Sequence, residues 1–322
     1  MPAHLADAVC CLDRRRCERF ANEANTRASR CVDGAALLSA IVSPQLQEIA
    51  REFMRRRGQE TLAFATLVRT TGSSYLRPGA RMLITASGET FGVLSGGCIE
   101  EEVAIKARGV MQTGAPCLLT FDTRPHFGCS GSLEISVEKV APDDSFLLAL
   151  HRCIEERVAF EHGSEVIAPP LQLLIAGDSR DSLPLASMAR TLGWKVIVAD
   201  GPEQLHADGR TVAVVKTHNY GRDFAFLRAL LPFELPYIGL VGSRKRKEQL
   251  LAALIDLGAN LEQTRSIHGP AGLDIGSATP EEIALSIVAE IQAVLAARPH
   301  HSLRDRASRS RSVALAPLAA RA

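Results

Sequence analysis

Three short stretches hold the residues best suited to chemistry: "TTGSSYLRPGARML" (70–83), "VLSGGCIEEEV" (93–103) and "HFGCSGSLEI" (126–135). The first places Gly72, Ser73, Ser74, Arg77, Pro78, Gly79 and Arg81 in one loop between apolar runs, so backbone amides, hydroxyls and two guanidinium groups lie within short reach. Such a set can grip a phosphate or another oxyanion. A long hairpin made of turn residues is the plainer alternative. In the second stretch Ser95, Gly96 and Gly97 lead into Cys98, and Glu100, Glu101 and Glu102 follow. Two glycines permit a sharp strand-to-helix turn that would leave the thiol at the amide end of a helix, where thiolate is favoured. The glutamates suit the same helix start but push the thiol back up, so Cys98 is expected as a ligand, of a metal for example, or as a moderate nucleophile. Cys129 is a second Gly-flanked thiol ahead of a strand, whereas Cys117 and Cys153 sit in apolar runs and read as core.

The elements that must position these loops follow from apolar periodicity. "SPQLQEIAREFMRRRGQ" carries an N-cap serine, a proline at the first helical position, and Leu46, Ile49, Phe53 and Met54 at helical spacing. Strand-like runs follow at 61–70, 81–88, 91–95, 117–121 and 132–140, interrupted by one helix over about 99–113. A mixed α/β domain over 43–142 results. The helical "SFLLALHRCIEERVAF" and the prolines of "EHGSEVIAPP" make a linker over 143–170. From 171 to 297 apolar strands ("LQLLIAG", "KVIVAD", "TVAVVKT", "YIGLVGS") alternate with amphipathic helices, which predicts a Rossmann-like parallel sheet covered on both faces. The last helix is announced by Thr279, Pro280 and Glu282, a capping box with proline at its first position.

A dinucleotide site in such a sheet needs G-x-G-x-x-G after the first strand. The loop here is "AGDSRDSLPL", with Gly177 alone and with Asp178 and Asp181 adding negative charge, so NAD(P) binding is not expected even though Asp200 stands where a ribose-binding acid would stand. "GLVGSRKRKEQ" opens a helix with Arg244, Lys245, Arg246 and Lys247, four cations that oppose the helix dipole and that an anion, or simple solvation, would offset.

The chain has 322 residues, 46% hydrophobic and 23% charged, with net charge +1, which gives no reason to expect a nucleic-acid partner. No apolar run approaches the ~20 residues needed to cross a bilayer, and a cytoplasmic protein is expected. The eight cysteines form no paired C-x-x-C of zinc type and no dense disulfide pattern. The arginine-rich segment 1–42 lacks the apolar core of a secretory signal, and both it and the tail 298–322 read as disordered extensions.

The runs "VRTTGSSYLRPGARMLITASGETFGVLSGGCIEEEV", "FGCSGSLEISVE", "YIGLVGSRKRKEQLL" and "IHGPAGLDIGSATPEEIALSIVAEI", in that order over roughly 43–296, resemble the XdhC/CoxI family of accessory factors for xanthine dehydrogenase and related molybdenum hydroxylases. The resemblance implies an XdhC-type domain followed by a Rossmann domain, a homodimer, and a cofactor-carrying chaperone rather than a catalyst. It implies binding of the molybdenum cofactor (molybdopterin), help with sulfuration or protection of its sulfido ligand, and delivery to a xanthine dehydrogenase-type hydroxylase, with a cysteine desulfurase as a further partner. By position it carries over Gly72, Ser73, Ser74, Arg77, Pro78, Gly79 and Arg81, then Ser95, Gly96, Gly97, Cys98 and Glu100. It also carries over Cys129, Gly131 and Glu134, and finally Gly269, Pro270, Gly272, Asp274 and Gly276. The chain departs from the family at "AGDSRDS", where a G-A-G-H loop is usual, and at Cys129-Ser130-Gly131, where C-G-G is usual. An NAD(P)-linked oxidoreductase and a cofactor-free assembly factor are the rival readings.

Overall fold

The computed structural model describes residues 42–72, 76–97, 99–122, 131–163, 165–177 and 180–298, together with Ser302 and Arg304. Helix α1 (Pro44–Arg56) starts as its sequence predicts, with the Leu46 amide donating to the Ser43 hydroxyl at 3.2 Å. Strands β1 (Leu62–Gly72), β2 (Arg81–Thr85), β3 (Thr90–Gly92), β4 (Cys117–Asp122) and β5 (Gly131–Val140) form an antiparallel sheet in the order β3-β2-β1-β5-β4.

Period-two alternation divides this sheet into two faces. Ala63, Leu67, Met82, Ile84, Leu119 and Ile135 pack under helix α2 (Glu100–Thr113), which supplies Val103, Ala107 and Val110. Leu62, Phe64 and Leu83 face the other way, onto Ile49 and Phe53 of α1 and Leu147 and Leu150 of α3 (Ser145–Glu156). Cys153 is buried in this second cluster and Cys117 packs against the first. Burial pushes the Cys153 thiol up to about 11, as suits a packing residue.

A hairpin, β6 (Phe160–His162) and β7 (Glu165–Ile167), leads into the second sheet. There β8 (Gln172–Ala176), β9 (Lys195–Ala199), β10 (Thr211–Val215), β11 (Ile238–Leu240) and β12 (Ile267–His268) run parallel in the order β12-β11-β10-β8-β9. Helices α4 (Leu183–Thr191) and α8 (Pro280–Leu295) cover one face, and α5 (Tyr220–Leu230) and α6 (Arg244–Asp256) the other; the short α7 (Leu261–Thr264) precedes β12. Both faces being covered, β8 and β10 are apolar almost throughout. Side chains tie the halves together: Gln47 donates to the Gly193 carbonyl at 2.7 Å, and Arg157 pairs with Asp208 at 2.6 Å while donating to the Pro170 carbonyl.

The strand expected over 91–95 needs correction. It ends at Gly92, because the Glu100 carboxylate draws the Leu94 and Ser95 amides off the sheet and into a turn. The strand expected over 81–88 likewise stops at Thr85, whose hydroxyl and backbone close a turn onto Glu89. Hairpin β6–β7 and strand β12 lie outside the sequence expectations. Their two- and three-residue lengths are too short for any periodicity to register.

Candidate functional site

The far end of the first sheet gathers the chain segments singled out above. Strand β1 outruns β2, whose first residue Arg81 pairs opposite Thr66, and continues to Gly72, which lies opposite Gly131 at the start of β5. Asp122, the end of β4, pairs with Ser132 at the same place. Helix α2 is joined to β4 by residues 114–116, so the two run antiparallel and the helix begins where β4 ends. Their spans, ~21 Å for the helix and ~20 Å for the strand, agree. Gly72, Gly131, Asp122 and the turn ahead of Glu100 therefore share one edge. Ser73, Ser74, Cys98 and Cys129 lie outside the described residues.

The turn 94–99 is built around Glu100. Its carboxylate accepts the amides of Leu94 (3.0 Å), Ser95 (2.8 Å) and Ile99 (3.1 Å) and the Ser95 hydroxyl (2.9 Å). Burial alone would raise this carboxyl, but the hydrogen bonds from Ser95 and Leu94 outweigh it and hold the group below its ordinary 4.5. Glu100 thus frames the turn and is saturated by doing so. Gly97, at φ +101°, takes the left-handed conformation the turn requires, and Gly96 and Gly97 are exposed. The helix starts at Glu100, two residues beyond Cys98, with Ile99 in the cap position and no side-chain cap.

The two arginines of the first loop differ in kind. Arg81 is buried: its guanidinium pairs with Glu165 of β7 at 2.7 Å, donates to the Gly79 carbonyl at 3.1 Å and lies 4.6 Å from the centre of the Phe146 ring. It is on the α1/α3 face of the sheet, whereas Leu94 and Ile99 of the Glu100 turn pack on the α2 face. Arg77 is exposed, and no hydrogen bond or ion pair holds its side chain among the described residues. Pro78 and Gly79 complete the turn, closed by the Gly79 amide on Leu67 and the Ala80 amide on Arg77. Glu134 is engaged with Arg69 at 3.4 Å, an exposed pair.

In the second sheet the strand order reverses between β8 and β10, where a Rossmann fold opens its ligand crevice. Gly177 is needed there for packing, since a Cβ would come within 2.7 Å of the Lys216 carbonyl. Lys216 is buried and bonds Asp181 through both its carbonyl and its carboxylate, each at 2.7 Å. His218 reaches the same carboxylate oxygen at 3.0 Å. Asp200 is paired with Arg222 of α5 at 2.5 Å. One of the four cations at the start of α6 is likewise answered from within: Arg246 pairs with Asp223, a carboxylate buried completely beside the Thr217 hydroxyl.

The segment "GPAGLDIG" follows β12. A carboxylate not singled out from the sequence, Glu290 of α8, holds it by accepting the Gly272 amide at 2.9 Å and the Tyr237 hydroxyl at 2.6 Å, with His268 stacked on the Tyr237 ring. Burial, reinforced by Glu290, pushes the Tyr237 phenol far above its ordinary range. Asp274 is exposed on the turn beyond. Gly272 sits at φ +109° with Ser286 against the place of its missing side chain. Gly272→Ala is expected to lower unfolding free energy by roughly 1–3 kcal/mol, measurable by urea denaturation. Neither Glu165 nor Glu290 has a local sequence signal; each acts on residues distant in the chain.

Residues 55–122 match the family model of the XdhC and CoxI family, and residues 173–291 match that of the XdhC Rossmann domain. A Bacillus subtilis protein named as a probable xanthine dehydrogenase subunit is 26% identical, with 72% of this chain and 93% of that protein covered. The molybdenum cofactor insertion chaperone PaoD of Escherichia coli is 25% identical, over 71% of this chain and 82% of its own length. A crystal structure from Bacillus halodurans, described as a xanthine dehydrogenase, superposes with a TM-score of 0.64 at 23% identity, covering 80% of this chain and 97% of that one, a likeness of fold. With its two matched regions in order on the two sheets, the chain belongs to the XdhC and CoxI family.

Proposed function

We propose that this protein is an accessory factor that binds the molybdenum cofactor, assists or protects its sulfido ligand, and passes it to a xanthine dehydrogenase-type molybdenum hydroxylase. The observation that carries the reading is Arg77, an exposed guanidinium without an internal partner among the described residues, on the loop beside the common edge of β1, β4, β5 and α2. PaoD, a molybdenum cofactor insertion chaperone, supports the same direction by its similarity.

When bound, the cofactor brings a pterin dithiolene with a terminal phosphate and a molybdenum centre that accepts soft ligands. The residues fit such a group in kind. Arg77 offers a planar fork of donors to the phosphate, and Ser73 and Ser74 precede it in sequence. Exposed Gly96 and Gly97 let a ligand approach the backbone next to Cys98. Cys98 and Cys129 are assigned as contacts to the metal or to a persulfide sulfur. Arg81 and Glu100 serve as frame rather than as ligands, each being consumed by internal partners. Cytoplasmic location, a homodimer and a cysteine desulfurase partner complete the proposal. NAD(P) stays outside it, because Lys216 and Asp181 bond across the crevice where a pyrophosphate would approach the helix start.

Metal and pterin analysis of the protein purified from cofactor-competent cells tests this reading. Molybdenum and pterin are expected in comparable amounts; a protein holding neither overturns the carrier role and leaves a cofactor-free assembly factor. If Cys98→Ala and Cys129→Ala proteins both keep the cofactor and both still mature a hydroxylase, the assignment of the thiols is wrong.

A further inference from the structure

A residue between the two matched regions touches the loop that carries Arg77. Glu165 stands on β7, four residues ahead of the Pro169-Pro170 pair that leads into the second sheet. One of its carboxylate oxygens takes the Arg81 guanidinium at 2.7 Å, and the other lies against Gly79, at the place where a side chain would begin. Arg81 in turn donates to the Gly79 carbonyl at 3.1 Å. Gly79 is at φ +100°, so its glycine identity answers two demands at once, a left-handed backbone and the Glu165 oxygen overhead. Arg81 has only 7% of its side chain exposed and cannot stay buried as a cation without this carboxylate. Its other face lies on Phe146 of α3. The span Arg77–Arg81 is thus clamped from the linker side, and the Arg77 side chain, at its start, has no hydrogen bond or ion pair among the described residues to fix it.

We propose that Glu165 is a positioning residue for Arg77, acting through Gly79 and Arg81, so that the geometry of the anion-gripping loop is set by the hairpin connecting the two sheets. This rests on the reading of Arg77 as the anion grip. The hairpin is itself held from the second sheet's side: Arg157, just before β6, pairs with Asp208 ahead of β10. Displacing the second sheet therefore pulls on the carboxylate that shapes the loop.

The test uses the full chain and three variants, Glu165→Ala, the conservative Glu165→Gln, which keeps an acceptor for Arg81, and Arg77→Ala as reference. Two readouts are taken on each: hydrogen exchange at the Gly79 and Ala80 amides, which close the turn on Leu67 and Arg77, and molybdopterin content after purification. Glu165→Ala is expected to speed exchange at both amides about tenfold and to lose molybdopterin as Arg77→Ala does, with Glu165→Gln intermediate in both. Arg77→Ala should leave the two amides protected. If exchange is unchanged in the folded Glu165 variants, the positioning role is wrong whatever the cofactor result. If exchange rises but molybdopterin stays while Arg77→Ala loses it, Glu165 is merely structural and the proposal fails. A wild-type protein without molybdopterin would sink the function proposed above, and the exchange result would still decide the clamp. Should Glu165→Ala not fold, Glu165→Gln carries the same two comparisons.

Discussion

Arg77→Ala is expected to abolish molybdopterin retention while leaving unfolding free energy within about 0.5 kcal/mol of wild type, and Arg81→Ala is expected to do nearly the reverse in stability. Arg77 makes no internal side-chain bond among the described residues, so removing it frees no buried partner. Arg81 is packed against Phe146 and paired with Glu165. Its loss removes a cation from an aromatic face and leaves a carboxylate whose side chain is 40% exposed. Water can reach that carboxylate in part, which moderates the cost to about 2 kcal/mol instead of the larger figure for a fully buried pair. Chemical denaturation with pterin analysis of the same preparations separates the two arginines. An Arg77→Ala protein that keeps its cofactor would remove the observation on which the functional reading stands.

Glu100→Ala is expected to destabilise by about 3 kcal/mol, because the amides of Leu94, Ser95 and Ile99 lose a charged acceptor together. Glu100→Gln should fall between, keeping one acceptor oxygen without the charge. The pH dependence gives the sharper test. The carboxyl is held below its ordinary 4.5 in the folded chain, so its contribution to stability is present above that value and disappears as pH falls through the folded value. The stability difference between wild type and Glu100→Gln should therefore be constant from neutral pH down to about 5 and shrink below that. A difference that does not change over the acid range would mean that the carboxylate charge plays no part in the turn.

Much of the fold is legible in the sequence because its causes are local. Apolar alternation marks β5, near-continuous apolar runs mark β8 and β10, and the Thr279 and Glu282 capping box marks the start of α8, where both halves of the box are formed. The site is legible only as a set of residue types. Arg77 and Arg81 look equivalent in "YLRPGARM", and what separates them is Glu165, some eighty residues further on, a distance over which sequence carries no pairing signal. Glu100 is similar: three successive glutamates suit any helix start, and only the bend of the preceding turn shows that one of them turns back to bind it. The run Arg244 to Lys247 invites an external anion, yet Asp223, hidden in α5, already answers Arg246. Self-contained charge pairs of this kind have no local signature.

The pairing of Gly72 with Gly131 decides when the site can exist. About sixty residues separate the two glycines, and closing so long a segment must precede the contacts that reward it. During synthesis β1, β2, β3 and α2 can emerge and collapse together while β5 is still missing, and the edge that joins β1 to β4 does not yet exist. Anything that depends on that edge is assembled in a single late step, when the strand between β1 and β4 arrives and brings the three segments to one place.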